Sequence, residues 1–428
     1  MPCKINLRQK GKDLTMGTRL ATGLSKAKES VVAAKEAVMM AKEKLEEGRV
    51  DLSMVYTSTE YDHRKVVDTV RKATNNAPLI GASSTGEFTE ERFERGSVAV
   101  GLLSSDDIKI FTALAKGVKE EPAAAMRKVA AKLRNKIEGY PHLTAIILID
   151  GLSGVGEEIA LLTSYLPGHN LKVVGGMASD DFRMENTFIF SDDKVCENAL
   201  SVCILASKMP LFTGVKPGHT PLSKKLRASR TEGNVLYEID GRPAWEIWKK
   251  ETAHAALKRG IDVEQLKTPT EIAWFFTNYM LGLSTGKEDQ YKIRWPESLN
   301  EDGSLNFTCG IVQGAVFRIM DGGNLENQIN ALEQAAGFAR ESAENAGYSE
   351  FAGIIVFDCA HRQLMLGDRF SEAVDRFKKM FPDVPVLGWE TYGEIRLEPG
   401  KFSGFHNTTS VVLLLPNSAH KKRGLQCK

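Results

Sequence analysis

Asp358, Cys359, His361 and Arg362 close the apolar run AGIIVFDC (352–359), a grouping of acid, thiol, imidazole and guanidinium at what reads as a strand end. Further along, VPVLG opens the loop GWETYGEI, which supplies Thr391, Tyr392, Gly393 and Glu394. Neighbouring strand ends would set an arginine fork, suited to a carboxylate, beside a glutamate suited to an ammonium, a pairing that fits an amino acid or similar zwitterion. Plainer readings compete. Arg362 is equally a surface salt-bridge partner for Asp368 or Glu394, and Cys359 a small buried hydrophobe. A Cys359–His361 nucleophile and base is disfavoured, because residues two apart on a strand point to opposite faces. His361 and His406 could ligate a metal or haem, although lone histidines more often make structural hydrogen bonds; His63, heading a helix, reads as solvated.

The same loop occurs twice more, as GASSTGEF from Gly81 (Ser84, Thr85, Gly86, Glu87) and GGMASDDF from Gly175 (Ser179, Asp181). An acid stands six positions after each glycine, at Glu87, Asp181 and Glu394. What must position these loops is an internal repeat. Its first copy runs LSMVYTS (52–58), a helical DHRKVVDTVRKAT, then APLIG; its second runs TAIILID (144–150), GEEIALLTSYL, then KVVG; its third runs AGIIVFDC, DRFSEAVDRFKKMF, then VPVLG. A further strand follows each loop: SVAVGLL (97–103), ALSVCILA (199–206) and SVVLLLP (410–416). The fold class is therefore α/β, with mixed sheets built from repeated strand-helix-strand-strand units. In such sheets ligands lie outside the carboxyl ends of the strands, where these loops would converge. The alternative is that the three acids only tie down their own turns.

Leu20 to Glu47 reads as one helix, with Val31, Val32, Val38, Met39 and Leu45 at helical spacing, both methionines in the core, and Gly48 at its end. The segment LYEIDGRPAWEIWKKE restarts the pattern with a strand, an Asp240-Gly241 turn and a helix led by Pro243. The division expected is a disordered leader at 1–19, one domain at 20–227, a second at 228–418, and a basic tail at 419–428, with PGHTPLSKKLRASR as the boundary. GLSTGKE (282–288) is one residue short of a phosphate-binding loop and ends on glutamate where a metal-binding hydroxyl is needed. GLSGVG (151–156) has its glycines in the wrong order for a dinucleotide fingerprint, leaving it a tight turn that could hold an anion on backbone N–H groups. No H-E-x-x-H or G-x-S-x-G occurs, so no common hydrolase signature points to an enzyme.

The whole chain sets the remaining bounds. Its 428 residues, 42% hydrophobic and 26% charged, are globular in composition, which excludes disorder or a membrane bundle as the main character. Lysine and arginine number 56 against 55 acids, so no net field draws nucleic acid or anionic lipid. No apolar run approaches the roughly 20 residues that span a bilayer, and no apolar stretch follows the basic start to make a secretory signal. A cytoplasmic protein with reduced cysteines is expected, since the six cysteines form no C-x-x-C pair.

The linked pattern of FDCAHR, VLGWETYGEI and FHNTT, with PLIGASSTGEF, GGMASDDF and LYEIDGRPAWEIW before it, resembles the FIST family over nearly the whole chain. The resemblance implies paired N-terminal and C-terminal FIST domains packed together in a sensory protein that binds a small ligand, with amino acids suggested, and needs no cofactor. It implies Ser84, Thr85, Gly86, Glu87, Ser179, Asp181, Cys359, Arg362, Thr391, Tyr392, Gly393, Glu394 and Asn407 as ligand-binding residues. Output would pass to a separate partner such as a histidine kinase. Haem-binding nitric-oxide sensors in the family are one alternative, with His361 or His406 as ligand only if haem is bound, and a protein-interaction scaffold is another.

Overall fold

The structure, a computed structural model, describes residues 17–46, 48–134, 136–166, 170–284, 291–399 and 404–417. Most of the expected leader, the basic tail after 418 and the end of GLSTGKE lie outside these residues.

Each repeat begins earlier than its sequence pattern showed. The first comprises β1 (Arg19–Ser25), α1 (Ser30–Leu45), β2 (Leu52–Thr57), α2 (His63–Ala73), β3 (Leu79–Ser83), the hairpin β4 (Glu87–Thr89) and β5 (Phe93–Glu94), and β6 (Val98–Ser104). The second comprises β7 (Ile108–Lys116), α3 (Pro122–Ala130), β8 (His142–Ile149), α4 (Gly156–Leu162), β9 (Lys172–Met177), the hairpin β10 (Ile189–Ser191) and β11 (Lys194–Cys196), and β12 (Ala199–Ser207). The expected long helix from Leu20 is thus corrected to a strand and a shorter helix. Every residue of β1 after Arg19 is buried, so it carries no polar alternation to mark it as a strand. Helix α1 also turns a different face inward: Ala33, Ala34, Ala37, Val38, Ala41 and Leu45 are buried, whereas Val31, Val32, Met39 and Met40 are exposed. Gly23 makes this close packing possible, because a Cβ there would lie 2.1 Å from the Ala37 carbonyl oxygen.

The third repeat is split by an insertion. It opens with β13 (Phe212–Pro217), which pairs with the last strand of the chain although it precedes the expected boundary at 228. There follow β14 (Thr220–Pro221), β15 (Leu226–Glu232), β16 (Val235–Ile239), β17 (Arg242–Pro243), α5 (Ala244–Leu257), α6 (Pro269–Asn278), β18 (Tyr279–Ser284), β19 (Tyr291–Arg294), β20 (Pro296–Leu299), β21 (Leu305–Phe307) and β22 (Val316–Asp321), whose strands make one antiparallel nine-stranded sheet. The repeat then resumes with α7 (Leu325–Asn345), β23 (Phe351–Cys359), α8 (Ala360–Leu366), α9 (Phe370–Met380), β24 (Val386–Thr391), the hairpin β25 (Glu394–Leu397) and β26 (Phe405–His406), and β27 (Thr409–Pro416).

The three six-stranded sheets have one topology: β1-β6-β2-β3-β10-β11, β7-β12-β8-β9-β25-β26 and β13-β27-β23-β24-β4-β5. In each, the central pair β2–β3, β8–β9 or β23–β24 is parallel and the other pairs are antiparallel. The outer hairpin of every sheet comes from a different repeat. The first repeat donates to the third sheet, the second to the first, and the third to the second, so the exchange closes on itself. One apolar core joins all three inner faces, including Leu20, Tyr56, Leu148, Phe357, Trp389 and Leu413, with Tyr56 and Trp389 stacked at 4.4 Å. The outer faces are covered by α1 and α2, by α3 and α4, and by α7 and α9.

Candidate functional site

The repeated glycines explain how the donated hairpins dock. Gly388 faces Phe88 and Gly81 faces Phe190 across antiparallel pairs. A Cβ on Gly388 would fall 2.1 Å from the Phe88 ring, and one on Gly81 would fall 2.0 Å from the Val55 carbonyl oxygen and 2.8 Å from Phe190. A bare strand position lets the incoming aromatic ring lie flat on the sheet.

This docking draws the three loops together at the carboxyl ends of the central strands. Ser179 N–H donates to the Ser83 carbonyl at 3.1 Å, Glu390 N–H to Gly86 at 2.9 Å, and Tyr392 N–H to Met177 at 3.0 Å. The Ser179 hydroxyl donates to the Glu390 carbonyl at 2.6 Å. Tyr392 crosses further: its hydroxyl donates to Asp180 Oδ1 at 2.5 Å and accepts from Phe182 N–H at 2.9 Å.

Two of the repeated acids spend their carboxylates on the loops. Asp181 Oδ2 accepts from Ser58 Oγ, Thr59 N–H and Thr59 Oγ1 at 3.0, 3.0 and 2.7 Å. Glu394 is fully buried, with Oε1 2.7 Å from Thr391 Oγ1 and Oε2 accepting from Thr409 N–H and Oγ1 at 3.1 and 2.8 Å. Burial pushes its pKa up to about 8. Glu87 differs: Oε2 accepts from Ser97 Oγ, Oε1 has no hydrogen-bond partner among the described residues, and burial raises its pKa well above the usual carboxyl range. Beside it, Ser84 Oγ donates to the Gly86 carbonyl at 2.8 Å.

The third repeat's strand end is assembled as expected but lies inside the protein. Cys359 is the residue before α8 and His361 lies within that helix, which corrects the picture of both side chains on one strand. Arg362 is fully buried and ion-paired with Asp358, while also donating to Ser410 Oγ at 2.6 Å and to the Gln328 carbonyl. Its partner is therefore neither Asp368 nor Glu394. Burial raises the Cys359 thiol well above its usual range, which makes it a poor nucleophile. Asn407 Oδ1 faces Cys309 Sγ at 3.6 Å, tying this end to the inserted sheet.

The histidines are packed too. His63 is buried against Phe188 and Phe190 with ring centroids at 4.6 and 5.3 Å, contrary to the solvated reading, and burial lowers its pKa to about 4. His361 lies against Trp295 at 5.1 Å, and His406 pairs in register with Glu394. Among the described residues His361 Nε2 and His406 Nδ1 have no hydrogen-bond partner; both rings are enclosed, and neither lines the hollow described next. Among the described residues no cluster of three or more His, Cys, Asp and Glu side chains could hold a metal ion.

An accessible hollow of about 160 Å³ lies at the carboxyl end of the second sheet. Asp150, Leu152 and Ser153 of the turn after β8 form one wall, Glu185 to Thr187 another, and Lys119, Glu197 and Asn198 the rest. Asp150 is held by Leu152 N–H, Thr187 Oγ1 and Asn198 N–H, so the GLSGVG turn spends its first backbone donors internally rather than on an anion. The loop leading to Glu185 is strained: Asp181, Phe182 and Met184 all have positive φ, at 56°, 61° and 55°. It leaves Phe182 and Met184 exposed. The sequence reading passed over Lys119, Glu185 and Glu197, because turn residues separated along the chain show no spacing pattern. It also passed over Glu390, although a charge within VPVLGWET was a visible signal.

A ring of three interleaved α/β units with their strand-end loops bonded together is thus the architecture that presents these groups. Residues 51–242 match the FIST N domain and residues 253–396 the FIST C domain, and the chain belongs to the FIST family. Uncharacterized protein MJ1623 of Methanocaldococcus jannaschii is 22% identical over 401 residues, covering 87% of this chain and 75% of that protein. The paired domains suggest a sensory role in signal transduction. No helix among the described residues is long and apolar enough to cross a membrane.

Proposed function

We propose that this chain is a cytoplasmic FIST-type sensor that binds an amino acid or similar small metabolite and signals through a separate protein, without catalysing a reaction. The hollow beside Asp150 carries this reading: its volume suits a ligand of amino-acid size, and Lys119 together with Glu185 and Glu197 in its lining offers both charges a zwitterion requires. The output follows from the same loop. Residues 185–187 line the hollow, the preceding stretch of the same loop exposes Phe182 and Met184, and Tyr392 fastens that stretch to the C-terminal domain through Asp180 and Phe182. Ligand contact at Glu185 would therefore bear on a surface available to a partner and on the junction between domains.

A thermal-shift screen of amino acids and small metabolites tests the reading, since a ligand specific for the folded state raises stability with concentration. At least one zwitterion should raise the melting temperature, and Lys119→Ala and Glu197→Ala should each weaken its binding about tenfold or more. A flat screen at millimolar concentrations, or a shift that both variants retain, would overturn the assignment.

A further inference from the structure

A second set of polar atoms lies away from the hollow, beneath the hairpin that the first repeat donates to the third sheet. Glu390 on β24 stands directly opposite Asp358 on β23. Its carboxyl lies against the bare backbone of Gly86, where a Cβ would come within 3.4 Å of Oε2. Glu390 is completely buried, and neither carboxyl oxygen has a hydrogen-bond partner among the described residues. Glu87 Oε1 and Thr85 Oγ1, on the adjoining loop and hairpin, also lack hydrogen-bond partners among the described residues. Orphaned acceptors of this kind are costly in a protein interior.

The neighbouring charged groups do not meet this need. Glu390 interacts with Asp358, Glu87, Arg362 and Arg95. Arg362 is committed to Asp358, and Arg95 lies at the surface with its guanidinium on Gln363. Neither guanidinium is hydrogen-bonded to Glu390 or Glu87, so the partnerless oxygens are left without a donor. We propose that Glu390, Glu87 and Thr85 form a binding site for a small ammonium cation, either the free ion or the –NH₃⁺ of a methylamine-sized primary amine. Its N–H groups would donate to the orphaned oxygens, its charge taking the place of a proton that burial otherwise holds there. This site is independent of the zwitterion hollow.

The test compares melting temperatures in ammonium, methylammonium, potassium, sodium and tetramethylammonium chlorides at equal ionic strength. Ammonium should raise the wild-type melting temperature by about 2–4 °C over sodium. Methylammonium matching ammonium would identify an amine site, and ammonium acting alone a site for the free ion. Glu390→Gln should abolish the shift, whereas Glu394→Gln, whose carboxyl contacts Thr391 and Thr409 rather than the orphaned oxygens, should keep it. No ammonium-specific shift, as expected if only water occupies the cluster, overturns the proposal, as does an equal potassium effect or a shift that Glu390→Gln retains. Should Glu390→Gln fail to fold, the wild-type pH dependence decides. Burial holds Glu390 protonated beside Asp358, Glu87, Arg362 and Arg95, and a bound cation must expel that proton. The ammonium shift should therefore grow as pH rises toward the raised Glu390 pKa, and a shift independent of pH overturns the proposal.

Discussion

Glu394 shows how a residue chosen for ligand chemistry can instead carry a structural proton. Thr391 Oγ1 contacts both Glu394 Oε1 and the Asp358 carbonyl, the latter at 3.1 Å, so a protonated Glu394 can donate to Thr391 while Thr391 donates onward. The pKa raised to about 8 agrees with that arrangement. Because the folded state holds this proton more tightly than the unfolded chain, its contribution is fully present below about pH 4.5 and is lost as pH rises toward about 8. The expected loss is on the order of a few kcal/mol. Glu394→Gln supplies a permanent donor to Thr391 and an acceptor to Thr409. Denaturant titrations from pH 5 to 8 should therefore show a flatter stability profile in the variant, and an unchanged slope would refute a protonated Glu394. The sequence displayed this acid through its repetition. It could not display the burial that decides what the acid does, because burial depends on a hairpin arriving from another repeat.

At the scale of elements, the glycines at the head of each loop make a sharper test. Gly388→Ala would press a methyl into the Phe88 ring and should destabilise by roughly 1–3 kcal/mol, the usual range for overpacking. Phe88→Ala opens that space, so alanine at 388 should cost much less in its presence, with a coupling energy above about 0.5 kcal/mol in a double-mutant cycle. Gly81→Ala should not be rescued by Phe190→Ala, since the nearest clash is with the Val55 carbonyl of the backbone. Equal rescue at both positions would show that hairpin docking does not set the glycine requirement. Periodicity revealed the strand-helix-strand centre of each repeat. It hid the opening strand and helix: β1 is buried throughout, and α7 packs mainly through alanines, including Ala331, Ala335 and Ala339, against β13. The insertion from β14 to β22 then separates β13 from α7 and obscures the third copy.

For the molecule as a whole, the direction of hairpin donation sets cooperativity. A chain divided between Ser207 and Phe212 leaves β4 and β5 without the third sheet and the second sheet without β25 and β26. Residues 17–209 and 210–417 should each lack a sharp thermal transition alone and regain one when mixed, as followed by near-ultraviolet circular dichroism. Independent sharp melting of either piece would contradict this dependence.

The one-way handing of a hairpin from each third to another also makes the tandem repeat a covalent stand-in for a homotrimer. A polypeptide carrying one third could fill its open sheet edge only by borrowing from a second copy, and three such copies would close the circle. Joining the thirds in one chain frees that assembly from dilution, and lets each third change its loops separately while the interlock persists.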